Sequence, residues 1–398
     1  MIRKTYNSKG NPMRIKKLRP TLAATAIAVA LFAPTLSQAC TSLLYKDANN
    51  VPYSGRTLEL SMELPYEVNF FPVGTSFSSK ADDHDALNYK TKNAFVAIGI
   101  TMPNTDDKVA IEGINDKGMT FSMLSYNDAE GPADSAQKTI EVLAAVDLGS
   151  WALSQFNTVK EVKEALEKQP VLVTELFDNP NFKTPFHYAL HDETGHSIVI
   201  EYSDGKQNVY DNPVGVMTNG PAFSWHMTNL NNYTNLSNKD HSSLELSGLS
   251  FQQPDSGIAT SVLPSSNTSV DRFVRAVYYS HFAEKVSNPD EALLTLSHVM
   301  NNFDRPRGIT IDKMTVTNIE GIPIPPVANE PGYESEYTSW TTLMDIKRKT
   351  MHVRTYDSLN YISFDLNELL QSDTAKSIKL AGIKGGSVNG SNVLLSAD

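Results

Sequence analysis

Apolar and polar positions change rhythm three times along this chain, and each change marks a different kind of element. Between Cys40 and Tyr126 short aliphatic and aromatic runs alternate with turn-forming residues, a strand pattern. Residues 40–45 and 51–60 flank the turn Asp47-Ala48-Asn49-Asn50, and 68–71 stops at Pro72. Residues 94–102 and 108–114 are joined by Pro103-Asn104-Thr105-Asp106-Asp107, and 119–126 follows the turn Asn115-Asp116-Lys117-Gly118. Helical spacing takes over at 139–153 and 158–168, the latter with Val159, Val162 and Leu166 on one stripe. Residues 186–191 and 197–202 predict a hairpin around Asp192-Glu193-Thr194-Gly195, 214–218 a short strand, and 225–236 a helix. The polar, Ser-rich stretch 237–267 reads as a long loop over the site. Two helices follow at 271–286 and 289–302, the second opened by Asn288 as cap and Pro289 at its first position. Strands return at 337–346, 350–355 and 361–365, and after Ser372 the pattern weakens into a frayed tail. Strands, then helices, then strands, without βαβ alternation, predict a segregated α+β domain over 40–372, with 373–398 as tail.

Residues 1–39 belong to none of these elements. They carry seven Lys or Arg and no acidic residue, then an apolar, Ala-rich run at 21–34 that is too short for a membrane span. Ser37 and Ala39 supply a small-x-small cleavage pattern, so the segment reads as an export signal cut before Cys40 by a signal peptidase. A compact signal also begins at Met13, which leaves two candidate starts. A lipoprotein signal would also put Cys at the cut, but Ser37 stands where it usually has an aliphatic residue. The expected location is periplasmic or secreted, with no membrane span in the mature form.

Removing the signal takes seven of the 34 basic residues and none of the 45 acidic ones, leaving 27 against 45 and a net charge of −18. Such an acidic chain is a poor ligand for nucleic acid or an anionic membrane. The chain holds a single Cys, Cys40. In a compartment that permits disulfides a lone thiol is an oxidation liability unless it has a task. A buried Cys acting as a small hydrophobe is the ordinary alternative. Placement directly after the cleavage pattern favours the task.

Cleavage would put a thiol and a free α-amino group on the same residue. The amine, with a reference pKa of about 7.7–8.0, is a suitable base for its own thiol, so no neighbouring His is needed. Arg56 could stand beside the thiolate and lower its pKa, and Glu59 could hold the ammonium. Residues three apart on a strand face opposite sides, so both reach one site only if the strand ends or bends near Glu59. An ordinary surface ion pair fits the spacing equally well. Asn219, at a strand end before Gly220-Pro221, could donate to an oxyanion or simply shape the turn. Arg272 and Arg275 open a helix and could equally anchor a carboxylate. His187, His191 and His196 have a zinc-like spacing only on a helix, and the strand pattern there argues against a metal site. HExxH, P-loop, GxGxxG and GxSxG motifs are absent from the sequence, and no metal or cofactor is expected.

The ordered set of these segments resembles the choloylglycine hydrolase family, which contains bile salt hydrolases and penicillin V acylases. The resemblance runs through Cys40-Thr41, Gly55-Arg56-Thr57-Leu58-Glu59 and Glu112-Gly113-Ile114-Asn115-Asp116-Lys117-Gly118-Met119. It continues through Asp192-Glu193-Thr194-Gly195-His196-Ser197-Ile198-Val199-Ile200-Glu201-Tyr202, Val216-Met217-Thr218-Asn219-Gly220-Pro221, Asn229-Leu230-Asn231-Asn232-Tyr233 and Asp271-Arg272-Phe273-Val274-Arg275. It implies an N-terminal nucleophile hydrolase fold, a four-layer αββα sandwich, and hydrolysis of a linear amide through an acyl-enzyme. By position it implies Cys40 as nucleophile with its own amine as base, Arg56 as electrostatic partner, Asn219 as oxyanion donor and Arg272 as site-ordering cation. Three positions depart from the family pattern: Glu59 replaces its usual Asp, Ser125 stands where an oxyanion-side Asn or Tyr is usual, and Leu263-Pro264-Ser265-Ser266 replaces Leu-Pro-Gly-Asp. The last two lie where specificity is set.

The expected substrate is a small N-acyl amide with an apolar acyl half: a conjugated bile salt, penicillin V or an N-acyl homoserine lactone. The Gly-Arg-Thr-Leu-Glu segment tilts the choice toward the bile-salt branch. The competing readings are an acid-ceramidase-like lipid amidase or acyl transferase, and a periplasmic binding protein of the same fold that has lost turnover. Homo-oligomers occur on this fold, but no residue pattern marks an interface.

Overall fold

The computed structural model describes residues 39–101, 108–132, 140–176, 179–319 and 321–386. The segment before Ala39 that the sequence reads as an export signal, the linker at 102–107, Thr139 and the tail from 387 onward lie outside them. Two antiparallel sheets face each other, and helices cover both outer faces.

The first sheet holds β1 (Ala39–Lys46), β2 (Pro52–Leu60), β10 (Val216–Met217), β11 (Tyr337–Asp345), β12 (Thr350–Thr355) and β13 (Ile362–Asp365). Its spatial order is β10-β1-β2-β11-β12-β13. The second sheet holds β3 (Glu67–Phe71), β4 (Phe95–Thr101), β5 (Lys108–Asn115), β6 (Met119–Ser125), β7 (Phe186–Asp192), β8 (Ser197–Ser203), β9 (Lys206–Asp211) and β14 (Lys376–Lys379), ordered β9-β8-β7-β6-β5-β4-β3-β14. Helices α1 (Leu148–Gln155) and α2 (Val159–Leu166) pack on the second sheet, and α4 (Ser269–Phe282) and α5 (Pro289–Met300) on the first. The result is a four-layer αββα sandwich. Because each sheet is covered on both faces, every residue of β2 is buried, polar ones included. That burial makes Arg56 and Glu59 interior groups rather than the surface ion pair their spacing also allowed.

Local signals account for the helix starts. Thr158 caps α2 by accepting from Glu161 N, Asn288 caps α5 with Pro289 behind it, and Thr268 caps α4 by accepting from Asp271 N. The Thr268 cap sets the frame from which Arg272 projects, one turn into α4. Gly149 is needed for close approach: a Cβ there would lie 2.7 Å from Ala110 O and 2.6 Å from Phe121 Cε1, where α1 crosses the sheet.

Four expectations need correction. Among the described residues of 139–153 only Leu148 onward is α-helical, because Val142, Leu143, Ala144 and Ala145 are buried and show no stripe to fix a period. Leu143–Ala144 instead pair in parallel with Val171–Leu172. The helix expected at 225–236 is α3 (Phe223–Asn229) followed by a 3-10 turn, and its start is shifted because Glu201 Oε2 accepts from Phe223 N at 3.0 Å. That cap comes from a distant strand and leaves no local trace. The loop at 237–267 contains a hairpin, Ser243–Leu246 with Leu249–Gln252, turned by Ser247 and Gly248 at φ of 52° and 77°. The tail expected to fray after Ser372 contributes β14, which pairs with β3 at the sheet edge.

Candidate active site

Cys40 is the second residue of β1 and is 3% exposed. Three elements converge on it. From β2, Arg56 Nη2 donates to Cys40 Sγ at 3.5 Å. From the turn after β10, Asn219 Oδ1 accepts from Cys40 N at 2.7 Å. From α4, Arg272 Nη1 donates to the Cys40 carbonyl and, at 2.8 Å, to Thr41 Oγ1, while its Nη2 donates to Asn219 Oδ1 at 2.8 Å. A guanidinium only donates, so the Asn219 atom facing it must be the oxygen, and the amide orientation is fixed. Asn219 Nδ2 then donates one proton to Ser125 O at 2.8 Å and keeps a second N–H.

Asn219 is itself clamped. His187 Nε2 donates to Thr218 O at 2.9 Å and His226 Nε2 to Asn219 O at 2.9 Å, while Asn219 N donates to Ser269 Oγ. Burial holds His226 down at about 4, so it serves as a neutral donor. His226 stacks on Phe273 and His187 on Tyr126, fixing both rings. The peptide between Gly220 and Pro221 is cis.

Glu59 answers the geometric question posed by its spacing. The pairing of β2 with β11 slips between Leu58 and Glu59: Leu58 faces Trp340, and Glu59 faces Thr338. This bulge bends the strand between Arg56 and Glu59, the bend their spacing requires if both are to face one site. On the other side Glu59 is the register partner of Ala39. Its Oε1 accepts from Thr338 Oγ1 at 3.2 Å. Behind Thr338 lies a buried Arg305–Glu336 ion pair at 2.6 Å.

Burial pushes the Cys40 thiol up; Arg56 and Arg272 pull it down, and Glu59 opposes them. Burial also pushes the Glu59 carboxyl from its ordinary 4.5 up to about 7, against the pull of Arg272. A raised carboxyl makes the folded chain hold a proton that the unfolded chain loses. Its contribution is therefore fully present below about pH 4.5 and lost as pH rises through 7, roughly 3 kcal/mol at 1.36 kcal/mol per unit. In protein made without export, with the Ala39–Cys40 bond intact, urea midpoints should fall between pH 5 and pH 8, and E59Q should flatten that fall. Glu59→Gln leaving the slope unchanged would show that Glu59 titrates normally.

The remaining candidates lie apart. Ser125, 3% exposed, meets the site through its carbonyl, while its Oγ donates to Asn127 Oδ1 at 3.3 Å. Arg275 anchors carbonyls rather than a carboxylate, donating to Pro264 O and Ser266 O, which ties down the Leu263-Pro264-Ser265-Ser266 segment. His191 is buried, its ring nitrogens have no hydrogen-bond partner among the described residues, and burial holds it down at about 4. His196 Nδ1 pairs with Thr194 Oγ1 at 3.0 Å. Among the described residues no group of three or more His, Cys, Asp or Glu could hold a metal ion. Sequence reasoning missed Thr41, His187 and His226 as parts of this network; they come from three separate segments that only the fold brings together.

A family model described as linear amide C–N hydrolases, choloylglycine hydrolase family, matches residues 40–378. A bile salt hydrolase/transferase of Clostridium perfringens is 26% identical over 350 residues, covering 85% of this chain and 96% of that protein. A penicillin V acylase of Pectobacterium atrosepticum is 24% identical over 370 residues, covering 89% and 88%. Among solved structures, a variant of the conjugated bile acid hydrolase from Clostridium perfringens superposes with a TM-score of 0.73 at 23% identity, covering 88% of this chain and 99% of that one. The penicillin V acylase from Agrobacterium tumefaciens gives a TM-score of 0.66 at 23% identity, covering 87% and 95%. These likenesses establish the shared sandwich.

Proposed function

Because this chain belongs to the choloylglycine hydrolase family and is a linear amide C–N hydrolase, we propose that Cys40, freed as the first residue by export and cleavage after Ala39, is its nucleophile. One observation carries this reading: both reactive atoms of Cys40 are held at once, the nitrogen by Asn219 Oδ1 at 2.7 Å and the sulfur by Arg56 Nη2 at 3.5 Å. The family match also opens on Cys40 itself.

In the proposed mechanism the α-amine takes the thiol proton as Sγ attacks the amide carbonyl carbon. Arg56 stabilises the thiolate, and the second N–H of Asn219 Nδ2 donates to the developing oxyanion. The tetrahedral intermediate collapses, the C–N bond breaks, and the ammonium returns its proton to the leaving nitrogen. Water then attacks the thioester, giving up a proton to the amine, and the thiol leaves with the acid released. Arg272 keeps Asn219 and the Cys40 carbonyl in register, and Glu59, partnered with Ala39 before cleavage, becomes the counter-ion of the new ammonium.

The substrate class we propose is an N-acyl amide with an apolar acyl half, such as a conjugated bile salt, penicillin V or an N-acyl homoserine lactone; the relatives named bile salt hydrolase/transferase and penicillin V acylase support the first two. The processed protein, offered a glycine-conjugated bile salt, penicillin V and an N-acyl homoserine lactone, should release the amine half of at least one. Binding without product in all three would overturn this class, and turnover confined to a ceramide would move the protein to lipid amidases. The relatives named hydrolase/transferase make acyl transfer to an added free amine the second outcome to score.

A further inference from the structure

Arg56 is held far more tightly than a contact with one sulfur requires. Its Nη2 donates to Met123 O as well as to Cys40 Sγ, its Nη1 donates to Ile111 O at 3.3 Å, and its guanidinium lies over the Trp340 ring at 4.8 Å. The remaining partner is a carboxylate. Glu112 Oε2 accepts from Arg56 Nη1 at 3.4 Å, with both side chains at most 2% exposed.

Arg56 and Glu112 belong to different sheets. Arg56 projects from β2 in the first and Glu112 from β5 in the second, so the pair spans the interior of the sandwich. Glu112 is in turn fixed from both sheets, by Thr342 Oγ1 of β11 at 3.4 Å and by a hydrogen bond from Ser122 of β6. A buried ion pair is a poor way to stabilise a core, since apolar side chains of similar volume do as well or better. What this pair does that apolar packing could not is aim a charged N–H at Cys40 Sγ.

We propose that Glu112 is a positioning residue for the reaction: reaching across the sandwich, it fixes the Arg56 guanidinium and through it sets the ionisation of the Cys40 thiol. This rests on the reading of Cys40 as nucleophile. The charged and titratable groups facing the thiol are Arg56 and Glu59 from β2 and Arg272 from α4. Those facing Arg56 are Cys40, Glu112 and Tyr66, the last in the segment before β3 and held neutral by burial. Glu112 is the one carboxyl that touches Arg56; burial pushes it up to about 7 against the pull of Arg56, so it bears its charge over the alkaline part of the range in which the thiol titrates.

Two near-isosteric variants separate aim from charge. Glu112→Gln keeps the reach and the acceptor but removes the negative charge, so Arg56 stays aimed and acts on the thiol unopposed. Glu112→Asp keeps the charge but is one methylene shorter, so the guanidinium loses its brace. The readout is the rate of iodoacetamide alkylation of processed protein between pH 5 and pH 10, followed by mass; with a single Cys in the chain the site is unambiguous. The alkylation midpoint should move down by about one unit in E112Q and up by about one unit in E112D, with kcat reduced in E112D and KM little changed. Shifts in the same direction, or no shift in either folded variant, overturn the proposal. Alkylation needs no turnover, so a failure here is distinct from a failure of the nucleophile reading, which would show as hydrolysis surviving Cys40→Ser.

Discussion

Cys40→Ser in the exported, correctly cleaved protein should lower kcat by about 10⁴-fold or more while leaving KM and thermal stability close to the parent. The physical reason is the mismatch between nucleophile and base. A thiol with ordinary pKa near 8.5 can hand its proton to an amine titrating near 8, whereas a serine hydroxyl cannot do so appreciably. Arg56 helps the thiolate through a long contact to a polarisable sulfur; a shorter Cβ–O bond would retract the acceptor from the 3.5 Å now spanned. The two side chains are nearly isosteric in a site where Cys40 is 3% exposed, so the fold should tolerate the change. Steady-state rates against whichever amide the parent cleaves, with a melting curve alongside, check both halves. A serine variant that keeps more than a tenth of the rate would exclude Cys40 as the attacking atom.

Asn219→Ala should cost about 10²–10³-fold in kcat, the range for removing one oxyanion donor. The loss has a second component here, because Asn219 Oδ1 also receives Arg272 and the Cys40 nitrogen. Truncation leaves Arg272 Nη2 and Ser125 O without partners in a buried setting, which should also lower stability by about 1–3 kcal/mol. Asn219→Asp distinguishes these effects. It keeps an acceptor for Arg272 but places a carboxylate where an oxyanion must form, so it should be at least as inactive as the alanine variant and more stable. If the alanine variant melts earlier yet turns over at the parent rate, Asn219 is only shaping the turn before Pro221.

Several of these residues can be read from the chain because the chemistry is local. Cys40 stands out through the small-x-small pattern before it and the want of a second Cys. The two central sheets are legible too, since their strands are short apolar runs closed by turns such as 115–118, with Gly118 at φ 75°. What escapes the sequence is whatever depends on two segments meeting. The slip between β2 and β11 that gives Glu59 and Arg56 a common site arises from pairing with a strand nearly 280 residues away. Arg272 and Arg275, three apart on one helix, look alike as a pattern, yet one reaches Cys40 and the other ties down carbonyls of its own preceding loop. Glu112 sits inside a segment that carried the family resemblance, but nothing in its neighbours reveals that its partner lies across the sandwich. The weak pattern after Ser372 hid β14 because an edge strand with one buried neighbour needs little apolar signal.

The measurement that bears most directly on the mechanism is the intact mass and N-terminal sequence of the exported protein, taken before and after brief exposure to a cleaved amide. A mature chain beginning at Cys40, with a transient acyl mass on that residue that Cys40→Ser never acquires, is the expected result. A chain beginning at another residue, or a lipid on Cys40, would leave the thiol without its amine base and contradict the proposed mechanism outright.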